Sequence, residues 1–409
     1  MAQPTVFEEI IDYANRADPW PLYRELRKTP VTREPDGTYV VTRYRDIVAL
    51  LHDPRTSSRP ATGTFGIISQ DPPEHDRARQ ILMRHYGPPE TPGRIESLRT
   101  GIRDIATSLI DRFGQDRADL VDEFAYPLPV TVICQLLGVP VEDEPRFKVW
   151  ADTIVENLVI LGTEPDEVVR KREDAIDQMS SYLGTLADAR RVAPGDDLLS
   201  ALVADERTWD GMSHKELDSN AALLLLAGHE TTVNLIANGM LTLLRHPRLL
   251  SRLRADPGFA VPVVEELLRY EPPVHFLRRM ALDKIDVAGV TIPAGATMRL
   301  AVAAGSRDPE HVHDPDKFNP DRHDSAAVGV RMEREGQHLG FGGGIHYCFG
   351  APLARLEAQI ALTELARRLD TPRLAADPPP YRPSLVLRGP RHLPIEFDRV
   401  APASSRAKG

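Results

Sequence analysis

One helical segment limits what this chain can become more than any other feature. Ser213 and Glu216 stand at capping-box spacing, and the helical pattern runs on to His246, where Pro247 stops it. At 1.5 Å per residue such a helix spans roughly 50 Å, enough to cross a whole domain. Its middle, Ala221-Ala222-Leu223-Leu224-Leu225-Leu226-Ala227-Gly228, is apolar on every face. Such a stretch must be buried on all sides, so the remaining chain has to be arranged around it. Polarity then intrudes at His229-Glu230-Thr231-Thr232 before apolar residues resume at Val233, Leu235 and Ile236. A carboxylate and hydroxyls at that depth need hydrogen bonds or water. Gly228 adds a cost of about 1 kcal/mol relative to alanine in a helix interior. A small ligand held beside the helix accounts for both anomalies, and a helix bend with threonines bonding back to the preceding turn accounts for them equally well.

The rest of the sequence reads as helices punctuated by proline and glycine, without repeats or a long dividing linker, so one domain over residues 1–409 is expected. Strand alternation is confined to Thr38–Thr42, Val287–Ile292 and Thr297–Val302, with Pro293-Ala294-Gly295 as the turn between the last two. The fold class implied is mainly α with a small β region. The small, polar tail over residues 401–409 is expected to be disordered. A composition of 42% hydrophobic and 27% charged residues is that of a soluble globular protein with a sizeable core. The net charge of -10 argues against a nucleic-acid partner. The first twenty residues carry Glu8, Glu9, Asp12 and Asp18 and no apolar signal region, and no apolar run is long enough for a membrane span, so a cytoplasmic protein is expected.

The chain has two cysteines. Cys134 lies in the apolar run Val130–Leu137 and reads as core. Cys348 lies in Phe341-Gly342-Gly343-Gly344-Ile345-His346-Tyr347-Cys348-Phe349-Gly350, a glycine-rich loop leading into a strong helical sequence. Zinc would need further ligands at short spacing and a redox pair a second thiol. A single axial sulfur is what a haem iron takes. The glycines allow backbone to lie against a flat macrocycle and aim N–H groups at the sulfur. By itself the loop is also compatible with an inert buried cysteine. Independently, His75 and Arg79 lie one helical turn apart after Asp71-Pro72-Pro73-Glu74, and two such groups on one face repel unless an anion lies between them, although a solvated basic face is the simpler reading of the pair by itself.

Taken in order, these motifs resemble those of bacterial cytochrome P-450 enzymes, the haem-thiolate monooxygenases. The loop Phe341–Gly350 matches F-G-x-G-x-H-x-C-x-G, Ala227–Thr232 matches A-G-x-[DE]-T-[TS], Glu266-Leu267-Leu268-Arg269 matches E-x-x-R, and Phe318–Arg322 resembles the meander that follows it. The resemblance implies a helical body around a buried haem b (iron protoporphyrin IX). Cys348 becomes the metal ligand. Ala227, Phe341 and Gly350 become haem contacts, and His75, Arg79, Arg279 and His346 the propionate partners. Gly228 would leave room for dioxygen, with Glu230 and Thr231 delivering protons. Glu266, Arg269 and Arg322 would form a structural network behind the cysteine loop.

The resemblance also implies hydroxylation or epoxidation of an apolar small molecule such as a polyketide, macrolide, terpenoid or steroid. Leu223, Val274, His275, Phe276 and Leu385 are the expected pocket residues. The short segment between Ser58 and Asp71 is expected to lack a lid helix. No flavin, nicotinamide or iron-sulfur motif is present, so electrons are expected from a ferredoxin and ferredoxin reductase. Arg77, Arg84, His85 and Arg355 could form a basic docking surface, ordinary surface charge being an equally good reading of them, and the protein is expected to be a monomer without nucleic-acid or membrane partners. A peroxide-driven peroxygenase is opposed by the Glu230-Thr231 pair. A non-catalytic haem sensor is opposed by a thiolate loop combined with an oxygen-handling helix.

Overall fold

The computed structural model describes residues 3–60, 65–86, 93–158, 165–206, 208, 211–323 and 338–403. Six helices place the site: α1 (Glu74–Tyr86), α2 (Pro127–Leu137), α3 (Asp166–Val192), α4 (His214–Arg245), α5 (Ala260–Tyr270) and α6 (Ala351–Arg368). The capping box at the head of α4 forms as its spacing requires, with the Glu216 carboxylate accepting from the Ser213 amide at 2.9 Å and the Ser213 hydroxyl from the Glu216 amide. The helix runs 32 residues without a break and ends at His246, where Pro247 opens the next one. It packs against α2, α3 and α6. Burial is complete over Ala221–Leu226 and again over Thr232–Leu243. Between these stretches Ala227, Gly228 and Thr231 break cover, one turn apart on a single face.

Cys134 is fully buried within α2. Burial pushes its thiol up to about 12, which leaves it an inert core residue.

A five-stranded sheet flanks the helical body. In chain order its strands are β1 (Val31–Arg33), β2 (Tyr39–Val41), β3 (Thr56–Ser57), β4 (Leu277–Ala281) and β5 (Thr297–Leu300), and the spatial order is β1-β2-β5-β4-β3. Only β2 and β5 run parallel. The single strand expected over Val287–Ile292 is instead a tight hairpin, Ile285–Val287 against Val290–Ile292. Ala288 and Gly289 at its tip have φ of 48° and 82°, the paired left-handed geometry that matches strand twist. Alternation alone cannot reveal that fold-back, because both arms keep the same inward period. The strand expected to reach Val302 stops at Leu300, and Val302–Ser306 is helical.

The expected disordered tail starts tethered, since Ala401 donates to the Arg368 carbonyl at 2.7 Å. Residues 404–409 of that expectation lie outside the described residues.

Candidate haem site

A cavity of about 450 Å³ lies between α4, the start of α6 and the loop before it. Its lining includes Ala227, Gly228 and Thr231 from α4, Phe341, His346, Cys348 and Gly350 from the cysteine loop, His75 and Arg79 from α1, and Arg279 from β4. Residues widely separated in sequence thus meet at one void.

The cysteine loop is held by backbone contact. Gly344 has φ +65°, and a Cβ there would sit 2.0 Å from the Leu51 carbonyl oxygen, so only glycine fits. The Cys348 amide donates to the Phe341 carbonyl at 3.1 Å, closing the loop, and the Ala351 amide donates to the Cys348 carbonyl at 3.3 Å. Cys348 is exposed, but towards the cavity that it lines. The protein packed around the thiol still desolvates it and raises its pKa, against the opposing pull of the Gly350 and Ala351 N–H groups and of Arg355 and Arg79. Those amides open α6, so a helix N-terminus faces the sulfur and favours its thiolate.

His75, Arg79, Arg279 and His346 border one edge of the cavity, where the two guanidiniums carry positive charge. The Nε2 atoms of His75 and His346 are buried without a hydrogen-bond partner, and the two rings lie 4.4 Å apart. Arg279 is buried, and its guanidinium donates to the Arg278 carbonyl at 2.8 Å. Burial lowers its pKa to about 10. Burial, with Arg279 and His75 nearby, pushes His346 down to about 3. Buried donors in this state require an anion. Two propionates would satisfy them, so the residues present fit haem. Arg278 also borders the cavity, but it is half-buried and donates to the Arg59 carbonyl, whereas Arg279 is buried on β4.

On α4, the Thr231 hydroxyl faces the cavity and donates to the Ala227 carbonyl at 3.1 Å, so the back-bonded threonine and the ligand space coexist. A Cβ on Gly228 would meet the Ile133 side chain at 2.7 Å, so α2 fills that side of the glycine while its other side borders the cavity. Glu230 points elsewhere: it is buried and paired with Arg382 at 3.0 Å and His229 at 3.4 Å. Burial would raise its pKa, but His229 and Arg382 outweigh this and hold the carboxyl at about 2.

Behind the loop, adjacent carboxylates on α5 serve different segments. Glu266 accepts from Arg269 at 2.7 and 2.8 Å, Arg322 at 3.0 Å and the Asn319 amide at 2.8 Å, with His323 at 2.9 Å. This network, which was expected from the motif, ties α5 to the meander. Glu265 reaches the cysteine side, accepting from Arg355 of α6 at 2.7 Å and meeting His338 at 3.2 Å. No motif pointed to Glu265.

The pocket expectations divide. Leu223 and Val274 line the cavity; His275, Phe276 and Leu385 do not. Val274 forms a bridge to Leu387, and the next two side chains turn into a separate core, where His275 meets the Tyr23 hydroxyl at 2.8 Å and Phe276 packs on Phe7. Leu385 packs in that same core, and Val386 lines the cavity in its place. The irregular backbone between the Val274 bridge and the strand that starts at Leu277 sets these directions, and local periodicity does not carry them. The segment from Ser58 to Asp71 carries, among its described residues, one 3-10 turn at Gly66–Ser69, which the Ser219 hydroxyl and Asn220 side chain of α4 hold by the Gly66 and Ile67 amides. Ile67, Ile68, Tyr86, Ile133 and Glu357 also line the cavity. Glu357 follows Leu353 and Ala354 at helical spacing, the signal that would have found it.

The expected basic docking surface is not free. Arg77 pairs with Glu216, Arg84 and His85 with Asp205, and Arg355 with Glu265. Local carboxylates absorb these charges.

The family model described as Cytochrome P450 matches residues 28–257 and 259–397. The chain is a member of the cytochrome P450 family. It is 40% identical to the cytochrome P450 monooxygenase PikC of Streptomyces venezuelae, over 95% of this chain and 94% of that one. It is 39% identical to the mycinamicin IV hydroxylase/epoxidase of Micromonospora griseorubida, over 91% and 94%. Ligand-free Mycobacterium smegmatis CYP164A2 superposes with a TM-score of 0.87 at 38% identity, covering 95% of this chain and 99% of that one. This P450 is therefore a mainly α monooxygenase, an oxidoreductase that incorporates molecular oxygen, and its family carries haem and draws electrons from redox partner proteins. Among the described residues no helix is long and apolar enough to cross a membrane.

Proposed function

We propose that this P450 holds haem b through Cys348 and hydroxylates or epoxidises an apolar natural product of the macrolide or polyketide kind. One observation carries this reading: Cys348 and Thr231 line the same cavity, whose further walls are the aliphatic side chains of Ile67, Leu158, Leu223, Leu224, Val274 and Val386. Such a lining rewards burial of an apolar ligand at about 25 cal/mol per Å². Relatives named as mycinamicin IV hydroxylase/epoxidase, 6-deoxyerythronolide B hydroxylase and erythromycin C-12 hydroxylase support the substrate class.

Haem, when bound, supplies the oxygen activation, helped by electron density from a thiolate ligand. The chain supplies the rest. His75, Arg79, Arg279 and His346 would hold the propionates, with the two guanidiniums supplying the neutralising charge. Gly350 and Ala351 steady the sulfur through their N–H groups, and Phe341, Ala227 and Gly350 flank the macrocycle. Thr231 orders a proton donor at the cavity wall. Gly228 keeps the α4 backbone accessible there, while Glu230 stays ionised behind the helix, paired with Arg382. A ferredoxin and its reductase provide electrons to a cytoplasmic monomer.

A binding screen reading the haem low-spin to high-spin change tests the substrate assignment. Macrolactones and related polyketides should shift the spectrum at micromolar concentration, while polar metabolites leave it unchanged. A shift confined to terpenoids or steroids would overturn the assignment without touching the chemistry.

A further inference from the structure

Asn220 is an amide side chain at 0% exposure, just ahead of the apolar Ala221–Leu226 stretch of α4. Neither it nor its half-buried neighbour Ser219 is among the residues that line the haem cavity. Both reach out of the helix to one short turn, Gly66–Ser69. The Ser219 hydroxyl accepts from the Gly66 amide at 2.9 Å, and the Asn220 Oδ1 accepts from the Ile67 amide at 2.9 Å while its Nδ2 donates back to the Glu216 carbonyl at 2.8 Å. Swapping the two ends of the Asn220 amide would lose both bonds, so a single orientation satisfies the group. A buried amide is costly without partners, and α4 carries this one to hold backbone that belongs to another segment.

The turn is shaped for that seat. Gly66 has φ +57°, and a Cβ on it would meet the Leu223 side chain at 2.8 Å and the Asn220 oxygen at 3.0 Å, so glycine lets the backbone lie directly on α4. The Ser69 hydroxyl accepts from the Phe65 amide at 3.0 Å, and the Gln70 amide donates to the Ile67 carbonyl at 3.2 Å, which closes the turn on itself. Ile67, Ile68 and Ser69 line the cavity together with Leu223 and Leu224 of α4. Ile67 is buried, but Ile68 is 53% exposed, a large apolar surface that a ligand in the cavity would cover.

We propose that Ser219 and Asn220 are positioning residues for substrate selection: their hydrogen bonds fix the Gly66–Ser69 turn against α4, so that Ile67 and Ile68 stand as an apolar wall before any ligand arrives. A wall that is already ordered adds contact area without an ordering cost at binding. The gain goes to ligands large enough to reach it. A small ligand that needs only the iron gains nothing from the turn.

The inference rests on the apolar-substrate reading of the haem cavity, and the test keeps the two apart. Wild-type holoenzyme, Ser219→Ala, Asn220→Leu and the hydroxyl-retaining Ser219→Thr are titrated with imidazole and with clotrimazole, each followed by the Soret shift of nitrogen ligation. In Ser219→Ala and Asn220→Leu the clotrimazole Kd should rise about tenfold, the worth of one net hydrogen bond, while the imidazole Kd stays within about twofold of wild type. Ser219→Thr should bind both ligands as wild type does. A merely structural role would weaken the fold without moving the ratio of the two affinities. An unchanged ratio, or tighter clotrimazole binding, in a variant with wild-type haem content overturns the proposal. Amide hydrogen exchange in ligand-free wild type gives a second reading that needs no variant: the Gly66 and Ile67 amides should be protected, and exchange as fast as in an open chain overturns the proposal. Wild type that binds clotrimazole no more tightly than imidazole would instead overturn the apolar-substrate reading of the cavity. Should Asn220→Leu fail to take up haem, Ser219→Ala and the exchange measurement decide.

Discussion

Replacing Glu266 by glutamine keeps the shape of the side chain and removes the charge on which Arg269, Arg322, His323 and the Asn319 amide converge. Burial would raise the pKa of this carboxyl, but Arg269 and His323 overcome it and hold it at about 2 instead of 4.5. At 1.36 kcal/mol per tenfold, that preference for the ionised form corresponds to roughly 3 kcal/mol. A separate route gives a similar figure, since removing one partner of a buried ion pair strands the other and costs about 3–5 kcal/mol. Both Glu266 and Arg269 are fully buried, so solvent screening does not reduce the estimate. The depressed pKa sets the pH window: the contribution is complete above about 4.5 and is lost as pH falls towards 2. Urea unfolding of the holoenzyme should therefore show Glu266→Gln less stable than wild type by roughly 3 kcal/mol at pH 7, with the gap closing as the buffer is taken from pH 4.5 towards 2. Asp321→Asn, which breaks the exposed pair with Arg252, is the control and should cost under about 1 kcal/mol. A Glu266→Gln loss no larger than the control, or one indifferent to pH, would refute the network's structural role.

Cys348→Ser should abolish the red-shifted carbon monoxide band of the ferrous protein, and its survival would remove Cys348 as the iron ligand. Thr231→Ala should still bind haem but divert reducing equivalents to peroxide in the presence of a bound substrate; full coupling would exclude a proton-delivery role. In Gly344→Ala, a Cβ 2.0 Å from the Leu51 carbonyl adds a clash to left-handed strain, for a loss of roughly 2–4 kcal/mol and a fall in the fraction of protein carrying thiolate-ligated haem. Wild-type haem content in that variant would mean that the loop can move off the Tyr44–His52 helix.

Much of the site is legible from residue order because its chemistry depends on local spacing. The turn that carries Cys348 needs glycines at set positions in one short loop, His75 and Arg79 share a face by helical period, and the Ser213 cap marks where α4 begins. Side-chain direction in irregular or strand segments is less legible. Val274 faces the cavity while His275 and Phe276 turn to Tyr23 and Phe7, since that choice belongs to the pairing with Leu387. The basic residues expected at a docking surface are compensated by Glu216, Asp205 and Glu265, partners brought from other elements by folding.

The long helix shows the division most clearly. Its existence, its ends and the oddity of a polar break inside an apolar core follow from the amino-acid sequence, because capping, proline and periodicity act over a few residues. Which of the polar residues meets the cavity was decided only in three dimensions. Adjacent positions on a helix point about 100° apart, so Thr231 looks onto the haem space while Glu230 is turned to Arg382, a residue distant in the chain. The same packing brought Glu357 to the cavity and left its carboxyl oxygens without a hydrogen-bond partner among the described residues, because a buried acid acquires or lacks its counterion through tertiary contacts alone.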